Sequence, residues 1–338
     1  MKGWQLKSRT GIDGLAMAEV PPPPAPGPGQ IKVRMRAGSL NYRDLSLASG
    51  RYARSTPPDN MVLLSDGAGE VLAVGASVTA FAPGDRVAGT FFQSWVDGPP
   101  DAALGARALG GGVHGILAEE VLLNADGAVK LPPQYSYEEA ATLPCAALTA
   151  WNALFETGRL MPGQTILVQG SGGVSVFALQ FAVLAGARII ATSSSDDKLA
   201  RLRELGAHDT INYKAEPDWG ARAMALTGGR GVDNVIEVGG VGTLPQSLAA
   251  LRPGGQVSII GLLSGVMPTD MSETGGKNAQ LKRIFVGSTV MFENMNRAIA
   301  LHGLKPVIDR VFPFVDTVAA YRHLESGRHF GKVVIAID

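Results

Sequence analysis

The sequence predicts an α/β protein of two domains, a small β-barrel followed by a doubly wound parallel sheet. Its 338 residues exceed what one domain of roughly 100–200 residues usually holds, so two separate cores are expected. Over about the first 125 residues, apolar and polar positions alternate and turn clusters recur at short intervals, the pattern of short strands. From about Lys130 onward single strands and single helices take turns, the signature of parallel strands joined by helical crossovers.

The first region is clearest at Gln30-Ile31-Lys32-Val33-Arg34-Met35-Arg36, where apolar residues occupy one face and basic residues the other. Turns follow at Asp66-Gly67-Ala68-Gly69, Pro83-Gly84-Asp85 and Asp97-Gly98-Pro99-Pro100. Six prolines between Pro21 and Gly29 favour polyproline II, read here as a stiff surface connection rather than a ligand for a proline-binding module. In the second region Tyr137 to Phe155 is helical with a break at Pro144. Strands are expected at Thr165–Val168, Arg188–Thr192, Asp209–Asn212, Asp233–Val238 and Gln256–Gly261, with helices at Val174–Ala185 and Asp197–Gly206. A tail from about Pro306 reads as strand, helix (Val315–Glu325) and final strand (Lys332–Ile337), able to rejoin the barrel or to cap the sheet.

Composition excludes several classes of protein. Thirty basic and thirty acidic residues cancel, which gives no electrostatic reason to bind nucleic acid or an anionic membrane. The hydrophobic content of 46% argues against disorder. The lone cysteine, Cys145, allows neither an intrachain disulfide nor a multi-thiolate zinc site, and points to a reducing, cytoplasmic setting. No charge occurs between Arg159 and Arg188, but Pro162, Gly163, Gly170, Gly172 and Gly173 interrupt the run, so it reads as buried strand, turn and helix, not a membrane span. Glycine is in excess, 43 residues of 338, as expected where turns are tight and backbone must approach a phosphate.

One motif carries chemistry by itself. After the strand ending at Val168 comes Gly170-Ser171-Gly172-Gly173-Val174-Ser175 and then an apolar helix, the dinucleotide-binding fingerprint in its required strand–turn–helix context. The first glycine permits the turn, the second lets the backbone reach the pyrophosphate, and the helix N-terminus binds the anion. Ser175 replaces the third glycine and is small enough for close helix–strand packing. Some 20 residues on, where a carboxylate would hold a free ribose 2′-hydroxyl, the chain has Thr192-Ser193-Ser194-Ser195 and then Lys198. Hydroxyls and an ammonium suit a 2′-phosphate, so NADPH is the expected cofactor; the same serines also serve as a helix cap.

At this point the chain resembles the medium-chain dehydrogenase/reductase superfamily, and within it the zinc-free, quinone oxidoreductase-like branch. The resemblance rests on Asn41-Tyr42-Arg43-Asp44, Asp66-Gly67-Ala68-Gly69-Glu70-Val71, Pro83-Gly84-Asp85-Arg86-Val87 and Leu148-Thr149-Ala150-Trp151. It continues through the glycine loop, Leu205-Gly206-Ala207, Ile211-Asn212-Tyr213 and Arg252-Pro253-Gly254-Gly255. It implies a GroES-like catalytic domain (1–128 and 302–338), a Rossmann domain (129–301), and an active site in the cleft between them. It also implies that Lys198 and Tyr213 flank the 2′-phosphate, that Thr149 lies on the nicotinamide side, and that two copies pair through the cofactor domain, with Ser264–Ser288 as the candidate edge.

Zinc-dependent relatives carry a Cys at Asn41, a His-Glu pair at Ser65-Asp66 and a third ligand at Cys145. One potential ligand of about three survives, the structural four-cysteine lobe is absent from the Phe91–Gly112 stretch, and His114, His208, His302, His323 and His329 show no ligand spacing. No metal is therefore expected. Without a Lewis acid, hydride addition to a conjugated acceptor, with the enolate held by hydrogen bonds, is easier than alcohol oxidation. Resemblance places Asn41 and Tyr52 at the cleft, Tyr52 as proton donor or enolate stabiliser and Asn41 as an orienting or reacting group, though Tyr52 can equally line the pocket while solvent supplies the proton. Trp95, Met291 and Phe292 are candidate substrate-lining residues. The expected function is an NADPH-dependent quinone or enone reductase; the alternatives are an alcohol or aldehyde dehydrogenase and a non-enzymatic NADPH-binding protein.

Overall fold

The computed structural model describes residues 1–52, 55–261 and 276–337. Contacts divide the chain into two units, Met1–Leu148 with Val286–Asp338, and Thr149–Phe285. The first unit begins with β1 (Lys2–Leu6), β2 (Leu15–Glu19) and β3 (Gln30–Ser39), then α1 (Tyr42–Ala48), β4 (Met61–Val62), β5 (Asp66–Val74) and β6 (Arg86–Gly89). It continues with β7 (Glu120–Asn124), β8 (Ala128–Lys130) and α2 (Tyr137–Ala141). β3 shows why the barrel forms: Ile31, Val33 and Met35 are buried, while Lys32 on the other face pairs with Glu120 at 2.8 Å and Arg36 with Glu70 at 3.7 Å. The proline-rich segment 21–29 is an irregular connection between β2 and β3.

Beyond α2 the backbone turns through a π-helical segment (Leu143–Ala147), α3 (Leu148–Trp151) and a second π segment (Asn152–Glu156). The break expected at Pro144 is present, because proline has no N–H to donate into the preceding turn.

The second unit holds β9 (Thr165–Gln169), α4 (Gly173–Leu184), β10 (Arg188–Ser193), α5 (Asp196–Glu204), β11 (Asp209–Asn212), α6 (Trp219–Leu226) and β12 (Val232–Glu237). After these come α7 (Leu244–Ala250), β13 (Leu251–Ile259) and β14 (Gln280–Arg283). The six strands run parallel in the order β11-β10-β9-β12-β13-β14, a doubly wound sheet whose order reverses between β9 and β12. Leu167, Ile190, Ile211, Val235 and Val257 fill its core. β14 was not expected from the sequence: its Gln-Leu-Lys-Arg has one apolar residue and occupies the sheet margin, where burial demands least. Part of the expected pairing edge, 264–275, lies outside the described residues.

The uncharged stretch is explained by packing. α4 is only 12 residues long, about 18 Å, and Phe177 and Phe181 lie among Trp151 and Phe155 with ring centroids 4.5–6.4 Å apart. Among the described residues no helix is long and apolar enough to cross a membrane.

The chain then returns through α8 (Thr289–His302), β15 (Ile308–Pro313), α9 (Thr317–Glu325) and β16 (Lys332–Ala336). The tail rejoins the barrel: β16 pairs antiparallel with β3, in a sheet ordered β15-β16-β3-β5-β6-β8 with β7 also on β3. Residues 129–148 and 286–301, expected with the second domain, pack with the first unit instead. Specific bonds hold them there: Tyr135 Oη donates to Leu304 O (2.7 Å), Asn296 Nδ2 to Lys130 O (3.1 Å) and Thr289 Oγ1 to Asp126 O (2.8 Å).

Candidate functional site

The glycine loop has the form a pyrophosphate requires. Gly170 sits at φ +72°, the left-handed region, and its N–H donates to Thr192 O of β10 at 2.8 Å, which anchors the start of the turn between β9 and α4. Gly172 caps α4 with extended backbone, and no side chain caps the helix N-terminus. A Cβ at Gly170 or Gly172 would meet nothing within 4 Å. The loop therefore presents open space in front of the N–H groups that begin α4, Gly173 and Val174 among them, and these residues fit a dinucleotide phosphate. Ser171 is buried, and Ser175 Oγ donates to Gln169 O at 2.6 Å, so the serine that stands for the third glycine ties the helix to the strand.

At the end of β10, Ser193 lies opposite Asn212 of β11, and Tyr213 N donates to Ser193 O at 3.1 Å. Ser194 follows. Ser195 caps α5, its Oγ accepting from Lys198 N at 3.5 Å. The carboxylate of Asp196 is engaged by Asn212 Nδ2 at 2.7 Å. Ser193 ends β10 and Ser194 follows it, Tyr213 follows β11, and Lys198 lies in the first turn of α5. Thr149 is buried within α3.

The sequence reading missed Glu237. It ends β12, is fully buried, and is surrounded by donors: Gly239 N (2.7 Å), Gly240 N (2.9 Å) and Thr243 Oγ1 (2.6 Å) on Oε1, with Gln169 Nε2 (2.8 Å) and Ser247 Oγ on Oε2. Gln169, the residue before the first glycine of the fingerprint, also accepts from Val238 N at 3.2 Å. One buried carboxylate therefore holds the 238–243 loop against the glycine turn. A glutamate after an apolar strand carries no local sign of this role.

In the first unit a second polar cluster forms around Asn41, which begins α1. Strand register accounts for it: β3 and β16 pair Ser39 with Val334, and the same antiparallel step brings Lys332 opposite Asn41. β3 and β5 pair Ser39 with Asp66. Lys332 is buried, and its ammonium donates to Leu40 O at 2.6 Å and to Asn41 Oδ1 at 2.7 Å. Asp66, fully buried, accepts from Ser65 Oγ at 2.7 Å and from Cys145 N at 3.0 Å. The Cys145 N–H that reaches it lies in the first π segment. Asp44 Oδ2 accepts from Asn41 N at 2.7 Å.

Burial dominates the protonation behaviour of this cluster. It raises the Asp44 carboxyl to about 6, against the pull of Arg43, and raises Asp66 in spite of the Lys332 charge. Burial and then the Asp66 charge push the Cys145 thiol up to about 12. The Asn41 side chain lies near enough to Asp66 to draw its carboxyl down, yet no well-formed hydrogen bond results, and Asn41 Nδ2 has no partner among the described residues. Arg43 donates to Leu109 O (2.7 Å) and Gly110 O (2.6 Å), and its guanidinium covers the rings of Phe91 and Tyr52, 4.3 and 5.4 Å from their centroids. Tyr52 is thereby held on the segment that follows Asn41.

Three candidate lining residues differ in their settings. Trp95 belongs to an apolar cluster with Phe91 and Phe92, against which Cys145 and Met291 pack. Phe292, by contrast, is fully buried, so it serves the core rather than a surface.

The positions that carry zinc ligands in relatives do converge here, but with the wrong donors. An amide (Asn41), a hydroxyl (Ser65) and a thiol (Cys145) supply one customary zinc donor where a catalytic site uses about three. Among the described residues no group of three or more His, Cys, Asp or Glu is arranged to hold a metal ion.

Comparison with known proteins agrees with this architecture. Residues 27–133 match the alcohol dehydrogenase GroES-like domain, and residues 173–301 match the zinc-binding dehydrogenase family. The latter segment contains none of the three ligand positions. A zinc-type alcohol dehydrogenase-like protein of Schizosaccharomyces pombe is 44% identical over 336 residues, 97% of either chain. A solved structure from Sinorhizobium meliloti 1021 that carries a provisional alcohol dehydrogenase name superposes with a TM-score of 0.91 at 43% identity, over 99% of this chain and 98% of that one. The quinone oxidoreductase of Pseudomonas syringae pv. Tomato DC3000 superposes with a TM-score of 0.84 at 30% identity, over 99% of each chain. The fold and the site define an oxidoreductase that uses a nicotinamide dinucleotide. The chain belongs to the medium-chain dehydrogenase/reductase superfamily.

Proposed function

We propose that this protein is a cytoplasmic, metal-independent, NADPH-dependent reductase of quinones or α,β-unsaturated carbonyl compounds. The observation that carries this reading is the cluster around Asn41, where an amide and a hydroxyl stand in place of two zinc ligands and an ammonium supplies the positive charge. A zinc-stabilised alkoxide has no support in such a site, whereas an enolate needs only hydrogen-bond donors.

When bound, the cofactor supplies a hydride to the β-carbon of the acceptor. The protein does the rest. The glycine loop and α4 bind the pyrophosphate, and Ser193, Ser194, Lys198 and Tyr213 bind the 2′-phosphate. Asn41 donates to the acceptor oxygen as it becomes negative, and Tyr52 delivers the proton that completes the reduction or steadies the enolate until solvent does. The likeness to a quinone oxidoreductase supports this acceptor class. The S. pombe relative's name favours an alcohol dehydrogenase, which would need a metal that these residues hold poorly.

The test is cofactor oxidation by purified protein across quinones, enones, aldehydes and ketones, with NADPH and NADH compared and zinc measured by elemental analysis. Turnover of quinones or enones, faster with NADPH and without stoichiometric zinc, is the expected result, with Asn41→Ala and Tyr52→Phe each lowering it. Alcohol or aldehyde turnover with one zinc per chain would establish the dehydrogenase instead. Tight NADPH binding with no turnover of any acceptor would leave a binding protein.

A further inference from the structure

We propose that the groove between β15 and α9 binds an organic carboxylate, a single negative charge carried on an aromatic or branched apolar body. The groove has a volume of about 480 Å³, within the usual range for small-molecule sites. Arg310 and Phe312 of β15 line one side, Val315, Val318 and Arg322 the other, and Arg328 in the loop after α9 one end. β15 is the last strand of its sheet, and one extra residue, Asp309, stands between the pairs Ile308–Lys332 and Arg310–Val333. A bulge of this kind re-aims the side chains beside it, and here the Arg310 guanidinium lies 5.6 Å from the centroid of the Phe312 ring.

The charges around the groove decide what it can hold. Asp309 meets His323 Nε2 at 2.7 Å through Oδ2 and accepts from Phe330 N at 3.0 Å through Oδ1, while Arg322 has Asp13 at 3.2 Å. Arg310 and Arg328 have no carboxylate partner among the described residues, and the Arg328 side chain donates only to Ser326 Oγ, at 3.4 Å. Among the described residues Asp316 is the one acid that lines the groove. Two uncompensated guanidiniums against one carboxylate leave a single positive charge, which suits a monoanion better than a dianionic phosphate. A guanidinium fork also matches the two oxygens of a carboxylate. Phe312, Val318 and Val315, the last 60% exposed, offer an apolar surface to the body of such a ligand. None of these residues is assigned to the cofactor or the acceptor, so the inference stands apart from the reductase function.

2-Naphthoate is the probe, titrated by calorimetry into protein saturated with NADPH so that the dinucleotide site is already filled. The expected result is one naphthoate per chain, with 2-naphthamide, the same body without the charge, bound about tenfold more weakly or worse. Inorganic phosphate at equal concentration should not displace it. Arg310→Gln combined with Arg328→Gln should weaken naphthoate binding about tenfold or more, and so should Val315→Glu, which sets a carboxylate at the mouth of the groove. All three side chains are exposed, so thermal unfolding and NADPH binding should stay as in the wild type. The proposal is overturned if the wild type does not bind naphthoate, or if either variant binds it as the wild type does. It is overturned equally if the amide binds as well as the acid, or if phosphate displaces the acid and so reveals a general anion patch.

Discussion

Glu237 shows how much one residue can organise. Three donors converge on Oε1 and two on Oε2, so an amide in either orientation would set an NH₂ against a donor. Glu237→Gln is therefore expected to destabilise the protein by about 2–3 kcal/mol, read from urea unfolding, and to weaken NADPH binding because the 238–243 loop loses its anchor. Unchanged stability would show that the donors find other partners. At this scale the sequence was informative where function depends on neighbours in the chain. The run Gly170–Ser175 was legible because turn, helix start and anion site are all made within a few residues. Asn41 and Cys145 were legible as departures from a family pattern. Glu237 and Lys332 were not, because the bond from Gln169 to Glu237 spans 68 residues and that from Lys332 to Leu40 spans 292, and nothing in their local context differs from an ordinary strand end.

Among elements, the β9–α4 junction carries the cofactor argument. Gly172 has φ −77°, ψ 179°, backbone that alanine also adopts, and a Cβ there would meet no protein atom within 4 Å. Gly172→Ala should thus change stability by less than about 1 kcal/mol. The same methyl would stand where the pyrophosphate approaches, weakening NADPH binding by roughly tenfold or more, a loss of about 1.4 kcal/mol, measurable by fluorescence titration. Unchanged affinity would place the pyrophosphate elsewhere. The π segments around α3 illustrate the other direction of inference. Pro144 signalled a break, but only the fold shows that the displaced backbone turns the Cys145 N–H onto Asp66. β14 escaped the sequence reading for a related reason, since a marginal strand needs no apolar run.

For the whole molecule, the exposed margin of the six-stranded sheet bears on assembly. β14 ends the strand order and presents unpaired backbone among the described residues, and we propose that two copies associate as a homodimer. Light scattering should give twice the 35.2 kDa chain mass; a value for one chain would refute this. The return of the tail is the other fact of this scale. Its last strand could have capped the sheet or rejoined the barrel, and the apolar run in Lys332–Ile337 suits either. By itself the sequence determined the two-domain α/β class, the parallel order implied by alternating strands and helices, and the dinucleotide loop, because each follows from periodicity or from contiguous residues. Only the tertiary structure decided that residues 129–148 and 286–301 pack with the barrel, and that β16 pairs with β3 so that Lys332 faces Asn41. Pairing between strands almost three hundred residues apart is chosen by the burial and hydrogen bonding of the whole sheet, and no local pattern records that choice.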